Sequence, residues 1–257
     1  TWVSERHLVS AISNAGGFGV IASGSMPPDI LAAEIAATYK LTDRPFGVNL
    51  ITLHPKLEQL IDACLDAKVG HVVLAGGLPP AGAIQRLKQG GAKVMCFAPA
   101  VAIAKKLVRG GADAIVIEGM EAGGHIGPVS TSVLAQEILP VITDVPVFVA
   151  GGIGRGNAML VYLEMGTAGV QHGTRLVYAT ESIAHPKFKK AYIHAAARDA
   201  VPSVALDNRF PVIPVRAIVN DGVRRFMDTQ RDVIARFDRG ELDQKAAQLE
   251  IEHFWAG

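Results

Sequence analysis

The sequence predicts an α/β protein in which short buried strands alternate with amphipathic helices. Three observations indicate this class. Seven apolar runs recur at a regular spacing, are rich in valine and isoleucine, and do not alternate with polar residues, which is typical of parallel strands buried on both faces. Segments of helical period lie between them, and each unit has the size of one βα repeat. The runs are FGVIAS (18–23), PFGVNL (45–50), HVVLAG (71–76), KVMCFA (93–98), AIVIEG (114–119), VPVFVAGG (145–152) and AGVQHGT (168–174).

Strict alternation of strand and helix predicts a (β/α)8 TIM barrel, which requires one strand more than the seven runs provide. The chain begins with a helical pattern, so we expect the first strand of the barrel to precede Thr1. An open doubly wound sheet is the alternative. The barrel is favoured because polar and glycine-rich residues end nearly every strand on the same side, as a ring of loops requires.

The helices are predicted from apolar faces and from their start and stop signals. Ser4 is the expected cap of the first helix, and NAGGFG (14–19) ends it. NAGGFG lacks the G-x-G-x-x-G spacing and follows a helix, so it does not indicate a dinucleotide site. The residues that define three of these faces are Leu8, Ala11, Ile12 and Ala15; Leu57, Leu60, Ile61, Cys64 and Leu65; and Ile103, Ala104, Leu107 and Val108.

The pattern changes after Thr174, which suggests a second part of the chain. Residues 181–217 carry prolines, histidines and single helical turns, and residues 220–255 have the mixed charge of surface helices. We therefore expect residues 1–180 to form the barrel domain and residues 181–257 to form a helical lid or subdomain that completes the barrel. The chain ends abruptly at FWAG, so a further C-terminal segment is also expected.

Composition argues against several classes of partner. The chain has 25 basic and 24 acidic residues and no Lys/Arg cluster, so neither nucleic acid nor an anionic membrane is expected to bind it. It has no apolar run of about 20 residues, the length of a membrane span, and we expect no signal peptide. Cys64 and Cys96 lack CxxC spacing and are expected to be buried free thiols. We expect a cytoplasmic protein that acts on a small molecule; the histidines show no metal-binding spacing.

Two consecutive strands end in residues that can surround a phosphate. One run ends in Gly151 and Gly152 shortly before a helix near Arg155, and the next ends in Gly173 and Thr174. Glycines at a helix N-terminus let backbone N–H groups converge on an anion, and the last two βα loops of a barrel often form such a site. The pair therefore predicts a phosphate site, although either motif alone fits an ordinary tight turn.

Asn49 lies within the apolar strand FGVNL, where its amide must find hydrogen-bond partners. A heteroaromatic ring edge with donors and acceptors would provide them. A structural hydrogen bond to a neighbouring loop is the alternative.

The segment EGMEAGGHIG (118–127) follows the buried run AIVI directly. A structural turn needs one or two glycines, but it does not need a titratable ring between them. His125 is therefore the candidate catalytic residue, and a loop histidine that bonds a carbonyl is the alternative. Glu121 is expected to brace the loop rather than to act as a base.

The chain resembles the FMN-dependent nitronate monooxygenases, once called 2-nitropropane dioxygenases, and the related flavin-dependent enoyl-acyl-carrier-protein reductases. The resemblance covers nearly the whole chain. The motifs that carry it, in order and spacing, are NAGGFGVIA, FGVN, EGMEAGGHIG, AGGIG, QHGT and PVRAIVN. EAGGH is specific, whereas the others are weak singly and strong together.

The resemblance implies FMN at the carboxyl ends of the strands, within the barrel domain. His125 would be catalytic near the reactive face of the flavin. Glu118 stands where many members have glutamine, and His172 where the family is commonly apolar. The cofactor-binding residues implied are Asn49, Glu118, Gly123, Gly124, Gly151, Gly152, Gln171, His172, Gly173 and Thr174.

The activity implied first is oxidation of alkyl nitronates with dioxygen. An NAD(P)H-dependent reductase of enoyl-acyl-carrier-protein is the second, favoured by Glu118 and by the AGG at 75–77. A flavin- or phosphate-binding barrel without turnover and a phosphosugar isomerase barrel are alternatives of other classes. A homodimer stays open, because barrel exteriors of this class often pair.

Overall fold

The seven predicted runs are strands of one parallel sheet. The computed structural model describes residues 3–256, and side chains as far as Phe254. The sheet has the order β1-β2-β3-β4-β5-β7-β8. The strands are β1 (Gly19–Ala22), β2 (Phe46–Ile51), β3 (His71–Ala75), β4 (Lys93–Phe97), β5 (Ala114–Glu118), β6 (Gly124–His125), β7 (Val147–Ala150), β8 (Gly169–Gln171), β9 (Ala200–Pro202) and β10 (Val215–Ile218).

The predicted fold class is confirmed. Each strand of the large sheet pairs in parallel with the next such strand along the chain. A doubly wound sheet would reverse its strand order at a switch point, and this sheet does not, so that alternative is wrong. The sheet corresponds to seven strands of a curled (β/α)8 barrel. The strand expected before Thr1 lies outside the described residues.

Helices follow most of the strands. They are α1 (Arg6–Asn14), α2 (Pro28–Tyr39), α3 (Leu57–Asp66), α4 (Ala83–Gln89), α5 (Val101–Arg109), α6 (Thr131–Ile138), α7 (Gly156–Glu164), α8 (Thr174–Val177), α9 (Pro186–His194), α10 (Asp221–Asp238) and α11 (Gln244–Ala256). No helix in residues 3–256 is both long and apolar enough to cross a bilayer.

The sheet has a helix-covered face and a concave face. In a parallel sheet, residues paired in register point to the same face, and the faces alternate along each strand. Val48, Val72 and Val94 are fully buried beneath helices. The other face carries Asn49, in register with Val73. At the carboxyl end of β5, the same alternation places Glu118 on the concave face, in register with Ala150, which pairs with Gln171.

The start of α1 differs from the prediction. The cap is Glu5, whose carboxylate accepts hydrogen bonds from the backbone N–H groups of His7 and Leu8. Ser4 instead donates its hydroxyl hydrogen to the carbonyl of Val20, 2.6 Å away. The first turn therefore begins one residue later, because Ser4 is engaged with β1. The buried residues of α1 are Leu8, Val9, Ser10 and Ser13, so Leu8 alone of the predicted face is fully buried, and Ala11 and Ile12 are half-buried.

The C-terminal part contains strands that the sequence pattern did not predict. β6, β10 and β9 form a small antiparallel sheet in that order. A second apolar cluster lies beneath α10 and α11, with Phe226 and Ile251 fully buried in it. The proposed boundary near residue 180 stays a prediction.

The cysteines lie in the core of the barrel as free thiols. Burial raises the pKa of both Cys64 and Cys96 to about 12. They are therefore protonated and poor nucleophiles at neutral pH.

Candidate functional site

Loops after β5 and β7 meet at the carboxyl edge of the sheet, and two glycines permit the contact. Gly151 and Gly152 have φ values of +101° and +72°, a region that favours glycine. A Cβ on Gly151 would lie 3.0 Å from the backbone nitrogen of Ala122, and one on Gly152 would lie 2.8 Å from Cβ of Glu121. The two loops are therefore packed so closely that a side chain on either glycine would clash with the loop after β5. Contact of these glycines with a phosphate stays a prediction.

The loop after β8 joins the same cluster. A Cβ on Gly123 would lie 3.2 Å from Oγ1 of Thr174, the first residue of α8. Nδ1 of His172 lies 2.8 Å from the carbonyl oxygen of Ile153, which ties this loop to the one after β7. Gln171 ends β8 with an exposed side chain, and Gly173 is the residue that precedes α8. The predicted residues on β5, β7 and β8 are thus brought together.

Glu118 is a half-buried carboxyl group at the end of β5. Its side chain forms no hydrogen bond or ion pair with the part of the chain that the structure describes. Burial raises its pKa to about 7. An unpartnered carboxyl group with a pKa near neutrality can donate or accept a proton, which is typical of a functional site.

We predict that Glu118→Gln changes the pH dependence of stability in protein freed of bound small molecules. The pKa of Glu118 is about 7 in the folded chain, against the ordinary value of 4.5 expected after unfolding. The folded chain therefore keeps a proton that the unfolded chain loses between these values. The free energy of unfolding falls as pH rises through this window, by about 3 kcal/mol in all from this group.

Glutamine does not titrate, so the free energy of unfolding of Glu118→Gln does not fall in this way as pH rises. Urea unfolding should show wild type and variant close in stability at pH 4.5, with the variant more stable at pH 8. A difference that does not change with pH would contradict the assigned environment of Glu118.

Asn49 lies on β2, three strands from β5 in the sheet, and its side chain shares the concave face with Glu118. Its carbonyl oxygen accepts a hydrogen bond from the hydroxyl of Ser23 at 2.5 Å. Its side-chain amide is half-buried and has no hydrogen-bond partner within residues 3–254. The structural alternative, an amide bonded to a neighbouring loop, is therefore not observed. Such a group is available to a ligand.

His125 lies in β6, at the tip of the loop between β5 and α6. The loop is closed by a 2.8 Å hydrogen bond from the N–H of Met120 to the carbonyl of Val129. Glu121 accepts hydrogen bonds at 2.7 Å from the N–H and the hydroxyl of Thr131, so it braces the loop as predicted. The imidazole of His125 is exposed and makes no hydrogen bond with the described side chains or backbone, so the alternative, a ring that bonds a carbonyl, is not observed.

Sequence reasoning missed several residues around the site. The hydroxyl of Thr52 is buried without a hydrogen-bond partner, close to Gly77. Half-buried Phe97 and Phe148 give the concave face aromatic surface. Arg216, on β10, donates a hydrogen bond to the carbonyl of Met120 in the loop that carries His125. A lone arginine inside the apolar run PVRAIV was a detectable signal, but its contact could not be inferred from it.

Comparison with known proteins identifies the family of the chain. The model of the family described as "Nitronate monooxygenase" matches residues 1–63 and 56–249. A "(3aS,4S,5R,7aS)-5-hydroxy-7a-methyl-1-oxo-octahydro-1H-indene-4-carboxyl-CoA dehydrogenase" of Mycobacterium tuberculosis is 36% identical over 80% of this chain. The chain spans only 58% of that relative's length. A "Probable nitronate monooxygenase" of Bacillus subtilis is 30% identical, covering 85% of this chain and 74% of the relative.

Solved structures agree in fold. FabK from Thermotoga maritima is similar with a TM-score of 0.84 and 34% identity, over 96% of this chain and 80% of that one. A nitroalkane oxidase from Streptomyces ansochromogenes has a TM-score of 0.76 and 27% identity, over 87% and 75% of the two chains. With a family model that matches nearly its whole length, the chain belongs to the nitronate monooxygenase family of flavin oxidoreductases.

Proposed function

We propose that this chain is an FMN-dependent oxidoreductase whose cofactor lies along the concave face, at the carboxyl edge of the sheet. The observation that carries the proposal is the presence there of two half-buried polar side chains without a protein partner, Asn49 and Glu118. Buried polar groups are rarely left unpaired unless a ligand or water completes them. Their shared face and edge match a planar ring that offers donors and acceptors.

The residues present fit the two ends of FMN. Asn49 and Glu118 would face the ring, and the closely packed loops after β5, β7 and β8 would face the phosphate. Exposed backbone N–H groups near glycines are suited to an anion. We assign residues 1–180 as the FMN-binding barrel and residues 181–257 as a lid. The proposed contacts also include Gly123, Gly124, Gly151, Gly152, Gln171, His172, Gly173 and Thr174.

His125 is the proposed proton-transfer residue. A bound flavin would accept or deliver the electrons of the reaction. The chain itself would place the substrate and move one proton, and an exposed imidazole on a braced loop suits that task. Glu118, with a pKa of about 7 set by burial, is a second group that can exchange a proton near neutrality.

The first candidate reaction is oxidation of an alkyl nitronate with dioxygen. Membership of the family and the similarity to the nitroalkane oxidase of Streptomyces ansochromogenes support it. In this reaction His125 would remove a proton from the neutral nitroalkane or orient the nitronate anion.

The second candidate is reduction of an enoyl thioester at the expense of NAD(P)H. The specific observation in its favour is the similarity to FabK, an enoyl-acyl-carrier-protein reductase. FabK has a higher identity and TM-score with this chain than the nitroalkane oxidase has. The thioester named in the Mycobacterium tuberculosis relative points to the same class of substrate. In this reaction His125 would protonate the carbon next to the one that receives hydride.

Anaerobic mixing separates the two candidates. Bleaching of the flavin absorbance by a nitronate alone supports the first reaction, whereas bleaching by NAD(P)H, followed by reoxidation with an enoyl thioester, supports the second. Protein that retains flavin but responds to neither reductant would contradict both and would indicate a binding barrel without turnover.

Asn49→Leu is expected to weaken FMN binding by about tenfold while leaving the fold intact, because it removes one hydrogen bond to the ligand and none within the protein. Fluorescence titration of flavin-free protein measures the dissociation constant. Asn208→Leu is the control, because that side chain is exposed and forms no hydrogen bond within the described residues. Equal affinity in wild type and Asn49→Leu would remove Asn49 from the cofactor site.

A further inference from the structure

We propose that Arg216 is the positioning residue of His125, acting as a clamp that holds the His125 loop (residues 119–130) against the C-terminal part of the chain. The part of the proposal that concerns turnover rests on the proposed function of His125. The part that concerns loop order does not, and it is tested separately.

The guanidinium group of Arg216 joins two distant segments. Nη2 and Nε donate to the carbonyl oxygen of Met120, at 2.8 and 3.3 Å. Nη1 donates to the carbonyl oxygen of Ala200 in β9, at 2.7 Å. A rigid planar fork with several N–H donors can satisfy both carbonyls at once. Arg216 thereby fixes the start of the His125 loop to the small antiparallel sheet.

The tip of the loop depends on this attachment. His125 pairs with Val215 in the antiparallel register, and the N–H of Ile126 donates to the carbonyl of Pro214 at 3.0 Å. β6 has only two residues. A strand this short is marginal by itself, since local opening costs little where few backbone bonds and little apolar burial oppose it. By holding Met120 at the start of the loop, the side-chain bonds of Arg216 favour the conformation in which the tip keeps this pairing.

Charge in the loop also favours an arginine at this position. Burial raises the pKa of Glu121, but the hydrogen bonds from Thr131 outweigh it, aided by the positive charge of Arg216, and the pKa is held below its usual value. Glu121 is thus ionised at neutral pH. Arg216 binds neutral carbonyls, and the Glu121 carboxylate partly balances its charge.

Hydrogen exchange measured by mass spectrometry tests the clamp directly. Arg216→Ala should accelerate amide exchange in residues 119–130 by about tenfold or more, the expected effect of losing hydrogen bonds from a charged donor. Arg216→Lys should give an intermediate increase, since one ammonium group cannot reproduce the fork. Arg224→Ala, which removes an exposed ion pair with Asp221 on α10, is the matched control and should leave this loop unchanged.

Unchanged exchange in residues 119–130 of Arg216→Ala would overturn the clamp, and so would acceleration spread evenly over residues 200–256. Circular dichroism identifies a variant that has failed to fold. If Arg216→Ala fails to fold, hydrogen exchange of residues 119–130 is compared between wild type and Arg216→Lys instead. These results do not depend on any activity of the protein.

Turnover tests whether the clamp acts through His125. In assays saturated with FMN, Arg216→Ala should lower kcat about tenfold, but it should have little further effect in a His125→Ala background, because the two residues would act as one unit. Additive losses in the double variant, or an unchanged kcat in the single one, would overturn the positioning role. If the wild type binds no flavin, the proposed function fails, but the exchange result still stands.

Discussion

His125→Ala is expected to keep the flavin bound and to reduce turnover by about 10²-fold or more, the usual scale for loss of a general acid or base. The imidazole is exposed and has no hydrogen-bond partner in the described structure, so its removal leaves no buried group unsatisfied. Stability should therefore change little. Steady-state kinetics with a nitronate or an enoyl thioester, together with the visible spectrum, measure both effects.

His253→Ala is the matched control, because His253 is an exposed histidine on α11. It should retain full turnover. A wild-type rate in His125→Ala would remove His125 from the mechanism, and loss of flavin in that variant would show that the ring binds the cofactor instead.

Gly152→Val is expected to weaken flavin binding by about 10²-fold. The added Cβ meets Cβ of Glu121 at 2.8 Å, and the φ of +72° is strained for a branched side chain. Overpacking and strain each cost on the order of 1–3 kcal/mol. The chain can relieve them by separating the loops after β5 and β7, which would disperse the proposed phosphate site. Fluorescence titration with FMN gives the dissociation constant.

Two further glycine variants separate the effect of overpacking at this contact from the effect of backbone strain. Gly154→Ala lies in the same loop with open space around its Cβ, and Gly166→Ala has a φ of +97° but no neighbour within 4 Å. Gly154→Ala should bind FMN normally, and Gly166→Ala should lose stability through strain without losing affinity. Normal FMN affinity in a folded Gly152→Val protein would contradict the placement of the phosphate at this loop.

The barrel strands could be predicted because burial on both faces leaves unbroken apolar runs. Val72 to Leu74 and Ile115 to Ile117 are buried at each position, so no alternation obscures the strand. A polar residue inside such a run is equally visible, which is why Asn49 could be predicted, whereas the role of Glu118 follows only from the family resemblance. Their common face follows from the period of two along each strand.

The remaining features depend on contacts that local patterns do not contain. β6, β9 and β10 are short and partly exposed, and they pair across long stretches of chain. The cap of α1 was assigned to Ser4 because serine is a common cap, but Ser4 is engaged with Val20. The role of Arg216 likewise requires knowing that Met120 and Ala200 are its neighbours.

The most direct test of the account is to release and identify the chromophore of the purified protein. The account predicts a visible spectrum of oxidised flavin and, after heat denaturation and chromatography, about one FMN per chain. Protein without flavin absorbance that also fails to bind added FMN would contradict the central claim, that Asn49, Glu118 and the joined loops of the carboxyl edge form a flavin site.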